Sequence, residues 1–144
     1  MKLFAPIKDF MTSNPITVRP RAKLLEAKEL FTKHNFHHLP VVRYNQLVGI
    51  ISDKDLLFFQ KGFTVDKEDL AENRRRLNNY AVSDIMSHKL ATLKSQDHLL
   101  AAVKIFEENL FHAIPIMEDN RLVGILTTTD LIRALAEDRE SYHH

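Results

Sequence analysis

Cysteine is absent from the 144 residues, which excludes a disulfide framework, a thiolate nucleophile and any Cys-based zinc or iron-sulfur site. There is no charge surplus either. The 20 basic and 19 acidic residues leave +1 with histidine neutral, too little to bind nucleic acid or an anionic membrane without specificity. No apolar run approaches the length that spans a bilayer, and Pro6 and Lys8 break the N-terminal segment too early for a secretory signal. A cytoplasmic protein with no membrane partner is expected. Enzyme signatures are also missing: there is no P-loop, G-x-G-x-x-G, H-E-x-x-H or G-x-S-x-G. Asp9, Asp53 and Asp55 form no recognisable acid-base pair, so no catalytic residue and no enzyme activity are expected. The composition, 44% hydrophobic and 27% charged, is that of an ordinary globular unit. His143 and His144 have the composition of a partial affinity tag and are left out of every candidate site.

The chain contains a duplication. A shift of 75 residues lays Ile7 to Leu57 over Val82 to Ile132 without a gap, and 17 of the 51 aligned positions are identical. Unrelated sequences would share roughly three at typical residue frequencies. The identities cluster: Asn45, Leu47, Val48, Gly49, Ile50, Asp55 and Leu56 match Asn120, Leu122, Val123, Gly124, Ile125, Asp130 and Leu131, while Phe36, His37 and Pro40 match Phe111, His112 and Pro115. A period this long excludes a solenoid.

Each copy reads as the same series of elements. Asp9 to Met11 and Asp84 to Met86 are expected as short helical turns, the first ended by Ser13-Asn14-Pro15, with a short strand at Ile16 to Val18. Leu24, Ala27, Leu30 and Phe31, like Leu99, Ala102, Ile105 and Phe106, recur at i, i+3, i+6 and i+7, the stripe of an amphipathic helix from Lys23 to His34 and of its counterpart. Leu39 to Val42 and Leu47 to Ile51 predict two antiparallel strands joined by Arg43 to Gln46. Ser52 and Thr127 precede two further helices as N-caps, with an acidic residue at the third position. The order is β-α-β-β-α, twice: residues 1–61, then a polar and partly helical connector over 62–80, then 81–138, with a short tail at 139–144. One copy of about 50 residues buries little core, so the copies are expected to pair.

His37-His38-Leu39-Pro40-Val41-Val42 followed by Leu47-Val48-Gly49-Ile50-Ile51-Ser52-Asp53-Lys54-Asp55-Leu56, and Phe111-His112-Ala113-Ile114-Pro115-Ile116 followed by Leu122 to Leu131, carry G-h-h-[ST]-x-x-D twice in register. In these motifs the sequence resembles a tandem pair of cystathionine β-synthase (CBS) domains, a stand-alone Bateman module. The resemblance implies an α/β (α+β) fold of two β-α-β-β-α repeats with pseudo-two-fold symmetry and sheets packed together. It also implies nucleotide sites in the clefts and assembly into a homodimer. The regulatory ligand it implies is an adenine nucleotide, AMP ahead of ADP or ATP, with no cofactor required.

Carried over residue by residue, the resemblance makes Asp55 and Asp130 ribose acceptors and sets Ser52 and Thr127 near ribose or phosphate. A vicinal diol presents two donors to one carboxylate, and a helix N-terminus favours phosphate. The same spacing is also a relative of the capping box. His37 and His112 lie three residues before Pro40 and Pro115, where related domains carry a basic residue that reaches phosphate. His38 follows in the first copy and Ala113 in the second, so the two clefts are expected to differ in charge. Thr17 and Thr92 match the strand that lies against the adenine, and Arg19, Arg21 and Lys94 follow it as further phosphate contacts. Each has a structural alternative as a connector, a β-former or a solvated charge.

His34, His37 and His38 would converge on one helical face at i, i+3, i+4 spacing. The helix should end near Asn35, however, and the second copy has Asn109, His112 and Ala113, so no metal site is expected. Arg74-Arg75-Arg76 reads as a solvated face, so nucleic acid is not expected as a partner. With nothing in the sequence beyond the pair, output is expected to pass through an unidentified regulated protein or an oligomer. The alternative function is a structural or adaptor module that dimerises or docks a partner while the clefts stay empty.

Overall fold

A computed structural model describes residues 2–63 and 70–142. Among these residues, five α-helices and two sheets give a mixed α/β fold in which the predicted helices and hairpins are all present. The strands are β1 (Thr12–Ser13), β2 (His38–Arg43), β3 (Gln46–Ser52), β4 (Leu93–Lys94), β5 (Ala113–Glu118) and β6 (Arg121–Thr127). The helices are α1 (Leu24–Lys33), α2 (Asp53–Phe63), α3 (Leu70–Asn79), α4 (Leu99–Glu107) and α5 (Thr128–Tyr142).

The chain divides into two compact units, and their membership departs from the sequence repeat. Residues 16–89 form one unit; residues 1–15 and 90–144 form the other. The leading segment of each repeat therefore packs on the body of the other repeat. In the unit containing the second repeat, Ile7 and Lys8 donate from their backbone N–H groups to the carbonyls of Asp97 (2.9 Å) and Ser95 (3.0 Å), and Leu99 N–H donates to Ala5 O at 2.9 Å. In the 16–89 unit the same bonds recur 75 residues on: Val82 to Ala22 (2.8 Å), Ser83 to Pro20 (2.9 Å) and Leu24 to Tyr80 (2.9 Å). Neither α1 nor α4 has a side-chain cap at its start. The exchanged segment supplies the carbonyl acceptors that their first N–H groups need.

Each segment also contributes to the core it joins. Ile7 is buried with Leu99, Ala102, Ile114, Ile116 and Leu126; Val82 is buried with Leu24, Ala27, Leu39, Val41 and Ile51. The helical turns fall at Ile7–Asp9 and Val82–Asp84, two residues earlier than the sequence suggests, because Ile7 and Val82 anchor them. Asp84 Oδ2 accepts the Ala81 N–H at 2.8 Å and fixes the second turn.

One sheet has the order β1-β6-β5-β4; the other is the β2-β3 hairpin. Single bridges extend that hairpin on both edges, Val18 to Val41 in parallel and Ser87 to Ile50 in antiparallel, so it repeats the four-membered layout of the first sheet. The strand expected over Ile16 to Val18 is thus reduced to one bridge at Val18. The close approach of the exchanged segment to β3 and β6 explains a glycine there: a Cβ on Gly49 would lie 2.6 Å from Met86 Sδ and 2.9 Å from Ser87 O, and one on Gly124 would meet Met11 Sδ and Thr12 O in the same way. Both hairpins turn through two residues in the left-handed region, Tyr44-Asn45 (φ 50° and 63°) and Asp119-Asn120 (φ 48° and 64°), the backbone of a type I′ connection.

The connector holds a core residue that its polar composition conceals. Leu77 of α3 is 1% exposed and belongs to the core of the 16–89 unit, while Arg74 pairs with Glu29 of α1 at 3.6 Å. Leu77→Ala is expected to cost about 2 to 5 kcal/mol, the range for deleting a buried leucine side chain. Urea unfolding of the variant against the parent checks it.

Candidate functional site

At the C-terminal ends of β3 and β6 the chain passes directly into a helix, and there the two Ser/Thr-x-x-Asp motifs close the same ring. Ser52 N–H donates to Asp55 Oδ2 (2.8 Å) and Asp55 N–H to Ser52 Oγ (3.1 Å); Thr127 N–H donates to Asp130 Oδ2 (2.9 Å) and Asp130 N–H to Thr127 Oγ1 (3.1 Å). These are capping boxes with aspartate in place of glutamate. The second carboxylate oxygen differs between them. Asp130 is 8% exposed, and its Oδ1 lies 3.5 Å from Thr12 Oγ1 of the exchanged β1 and 3.5 Å from Arg133.

His37 and His112 occupy equivalent places: their carbonyls accept the first N–H of the following helix, from Asp53 and Thr128 respectively, both at 3.1 Å. Their side chains part company because Asp53 is replaced by Thr128 in the second repeat. His37 Nδ1 is 2.7 Å from Asp53 Oδ2. His38 stands opposite Ser52 and Ala113 opposite Thr127 in the strand register. His37, His38, Ser52 and Asp55 are thus gathered at one end of the β2-β3 hairpin, and His112, Ala113, Thr127 and Asp130 at the same end of β5-β6. Pro40 and Pro115 are buried within their strands, so any influence they have is through the strand path. His34 ends α1 and stacks on Phe36, with ring centroids 5.2 Å apart. Among the described residues no group of three or more metal-ligating side chains forms.

Thr17 lies elsewhere. It lines a cleft of about 850 Å³ toward the turn end of the same hairpin, with Arg19, Arg21, Arg43, Val42, Val48, Met86 and His88. The two ends of β3 are separated by roughly 20 Å at the usual rise per residue, so within this unit Thr17 is not grouped with Ser52 and Asp55. Val42, Val48 and Met86 give the cleft an apolar part, and Thr17, Asn45 and Ser83 line it together with three arginines and His88. Such a lining, part apolar and part cationic, suits a small ligand that is part ring and part anion. Arg19 and Arg21 were legible as candidates from their place after Thr17; Arg43 and His88 were not, because only the fold brings a hairpin turn and the exchanged segment to the same spot. Thr92 is exposed just before β4 at the position equivalent to Thr17.

The arginine run does not present free cations. Arg75 and Arg76 both pair with Glu72, and Arg74 with Glu29. Among the described residues no helix is long and apolar enough to cross a membrane.

The family model for the CBS domain matches residues 7–62 and again 82–137. The chain is 30% identical over 125 residues to the CBS domain-containing protein YhcV of Bacillus subtilis, covering 87% of this chain and 81% of that protein. It spans only 22–44% of the length of three other curated relatives, from Methanocorpusculum labreanum and Methanocaldococcus jannaschii. Among solved structures, the CBS-pair protein CBSX2 from Arabidopsis thaliana aligns with a TM-score of 0.78 at 27% identity, over 94% of this chain and 97% of that one. CBSX2 has also been solved in complex with AMP, with a TM-score of 0.74 at 28% identity over 94% and 98% of the two chains. The CBS domain pair of protein MJ0100, in complex with 5′-methylthioadenosine and S-adenosyl-L-methionine, aligns with a TM-score of 0.74 at 26% identity over 94% and 98%.

Both aspartates act on stability whatever else they do. Replacing either with Asn keeps the shape and an acceptor but removes the charge at the helix N-terminus, which costs about 0.3 to 1 kcal/mol. The loss is expected to be larger for Asp130→Asn, whose second oxygen also faces Thr12 and Arg133. Denaturant unfolding of the two ligand-free variants measures the order.

Proposed function

Because the chain belongs to the CBS-domain family and carries two such domains in tandem, we propose that it is a regulatory module that binds an adenine nucleotide, AMP ahead of ADP or ATP, and signals occupancy through a homodimer. The observation that carries this reading is the cleft at Thr17. Its apolar lining suits a purine, and its arginines suit a phosphate. The complex of the structural relative CBSX2 with AMP supports the same ligand class. The domains are taken as 1–61 and 81–138, joined by 62–80.

Capping does not exclude a ribose role for the aspartates. An ionised carboxylate offers about four lone-pair positions, and in each box the cap occupies Oδ2. We assign the remaining capacity of Asp55 and Asp130 to ribose hydroxyls at the helix-start end of each hairpin, a contact separate within each unit from the Thr17 cleft. Ser52, His37 and His38 stand beside Asp55, and Thr127, His112 and Ala113 beside Asp130, with Pro40 and Pro115 setting the strand beneath; Thr17, in the cleft at the turn end, and Thr92, its counterpart, are assigned to the base. The regulated protein that reads the signal is a further partner.

AMP has about 23 heavy atoms, and at roughly 0.3 kcal/mol per atom its dissociation constant falls on the order of 10 μM. At about 100 times that concentration one site adds roughly 2.7 kcal/mol and raises Tm by about 5 to 10 °C. Titration calorimetry and melting curves with AMP, ADP, ATP and S-adenosylmethionine test it; a flat Tm across all four at millimolar concentration rejects nucleotide binding.

An adaptor reading also has an observation in its favour. Leu57 and Phe58 of α2 are 53% and 82% exposed, and Ile132 and Leu135 of α5 are 64% and 47% exposed. Apolar helix faces of this kind are expected to be covered by a partner, and a second copy through a closed two-fold contact is the commonest arrangement. Light scattering at tens of micromolar protein is expected to report a dimer for the parent and a monomer for the Phe58→Glu, Ile132→Glu double variant.

A further inference from the structure

In both units a thioether seats the exchanged segment on its strand. Met11 and Met86 are equivalent under the repeat, and each lies between the buried plug of its segment, Ile7 or Val82, and the residue that pairs with the strand edge, Thr12 or Ser87. Their backbone N–H groups donate to the plug carbonyls, Met11 to Ile7 O at 3.0 Å and Met86 to Val82 O at 2.9 Å. The sulfurs fill the places where a strand side chain would stand: a Cβ on Gly124 would lie 2.5 Å from Met11 Sδ, and one on Gly49 2.6 Å from Met86 Sδ. With no cysteine in the chain, thioethers are its only sulfur groups.

Both side chains are half-buried and pack against the core of their unit. The edge beside each is short. β1 holds two residues, and Ser87 makes a single bridge to Ile50; edges with so few bonds open locally at small free energy and admit a reagent from water. Met86 has the shorter edge and also lines the cleft at Thr17, so it is the more accessible of the two. Met117 provides a contrast within the same chain. It is half-buried on β5 but is not among the residues packed against either core, and its counterpart in the first repeat is Val42.

We propose that Met11 and Met86 are a paired oxidation site through which a hydroperoxide loosens the exchanged segments, Met86 ahead of Met11. With hydrogen peroxide, a sulfur lone pair attacks one peroxide oxygen. The S–O bond forms as the O–O bond breaks, and the proton of the transferred hydroxyl passes to the departing hydroxide, which leaves as water. The thioether is oxidised by two electrons to the sulfoxide and the peroxide is reduced. The product is polar and one oxygen larger. The space over each glycine is already filled by sulfur, so the new oxygen either displaces the segment from the strand or turns among apolar side chains, where an unpartnered acceptor is costly. Either outcome weakens the seat.

The test uses the full chain and hydrogen peroxide, with sulfoxides located by peptide mass mapping and stability read from melting curves. The parent is expected to take up oxygen at Met86 and then at Met11, and to lose about 5 °C or more in Tm once both are converted. The Met11→Leu, Met86→Leu double variant keeps apolar side chains of similar volume and has no thioether at either seat, so it is expected to hold its Tm through the same treatment; Met117→Leu loses Tm as the parent does. Hydrogen exchange on the oxidised parent gives an answer that needs no substitution. Protection is expected to fall at the amides of Asn14, Leu24, Ser87 and Leu99, whose hydrogen bonds join the exchanged segments to their units. Sulfoxides at both positions with Tm and protection unchanged overturn the proposal. So does oxidation confined to Met117 in the folded chain, or an equal loss of Tm in the double variant and the parent.

Discussion

The constraint on which the rest of the structure depends is the exchange of leading segments between the repeats. A hairpin with two helices has an unfinished core and helix starts without caps, and a second copy of the same hairpin shares the same deficits. Residues 1–15 and 82–89 supply what is missing in each unit: an apolar plug (Ile7, Val82), carbonyl acceptors for the first turn of α4 and α1, and an edge partner for β6 and β3. Because each segment is the covalent start of the opposite repeat, a defect in either segment is felt in the core of a unit that its own repeat does not build. Gly49 and Gly124 are the cost side of the arrangement, since the segment lies so close that a single methyl group would collide with backbone and thioether.

The aspartates show how a fold without a connecting loop caps its helices. A helix that begins directly from a strand has no loop in which to place a separate cap, so the cap must come from the third residue of the helix and the last residue of the strand. That fixes the carboxylate at the sheet end, with Oδ2 engaged. A group fixed in this way by the fold loses little freedom when it meets a ligand, which is the benefit of preorganisation. Spacing alone could not separate capping, which the structure shows, from the ribose contact proposed above.

Much of the fold was legible because it obeys short-range rules. The amphipathic stripes of α1 and α4 and the β-branched runs of the hairpins are set by periodicity, and Leu24, Ala27, Leu99 and Ala102 are fully buried where that periodicity places the core. What escaped was non-local. Nothing in Thr12-Ser13 marks a strand; it pairs only because β6 offers an open edge. Leu77 sits in a run of arginines and asparagines and is buried only because α3 packs on α1. The partition of the candidate residues between the two ends of one hairpin was also hidden, since Thr17 and Asp55 are related by strand direction and not by any motif.

Divergence between the repeats follows the same physics. Where the backbone has no alternative, the residues stay identical: the glycine under the exchanged segment, the asparagine in the left-handed turn, the aspartate of the capping box, the leucine and alanine facing the core. Away from those positions the charge differs between the repeats, as from Arg43 to Glu118, Asp53 to Thr128 and Arg21 to Gln96. A duplicated scaffold can therefore keep one backbone frame and vary its surface charge, because the frame is fixed by positions that cannot vary and the charge by positions that can.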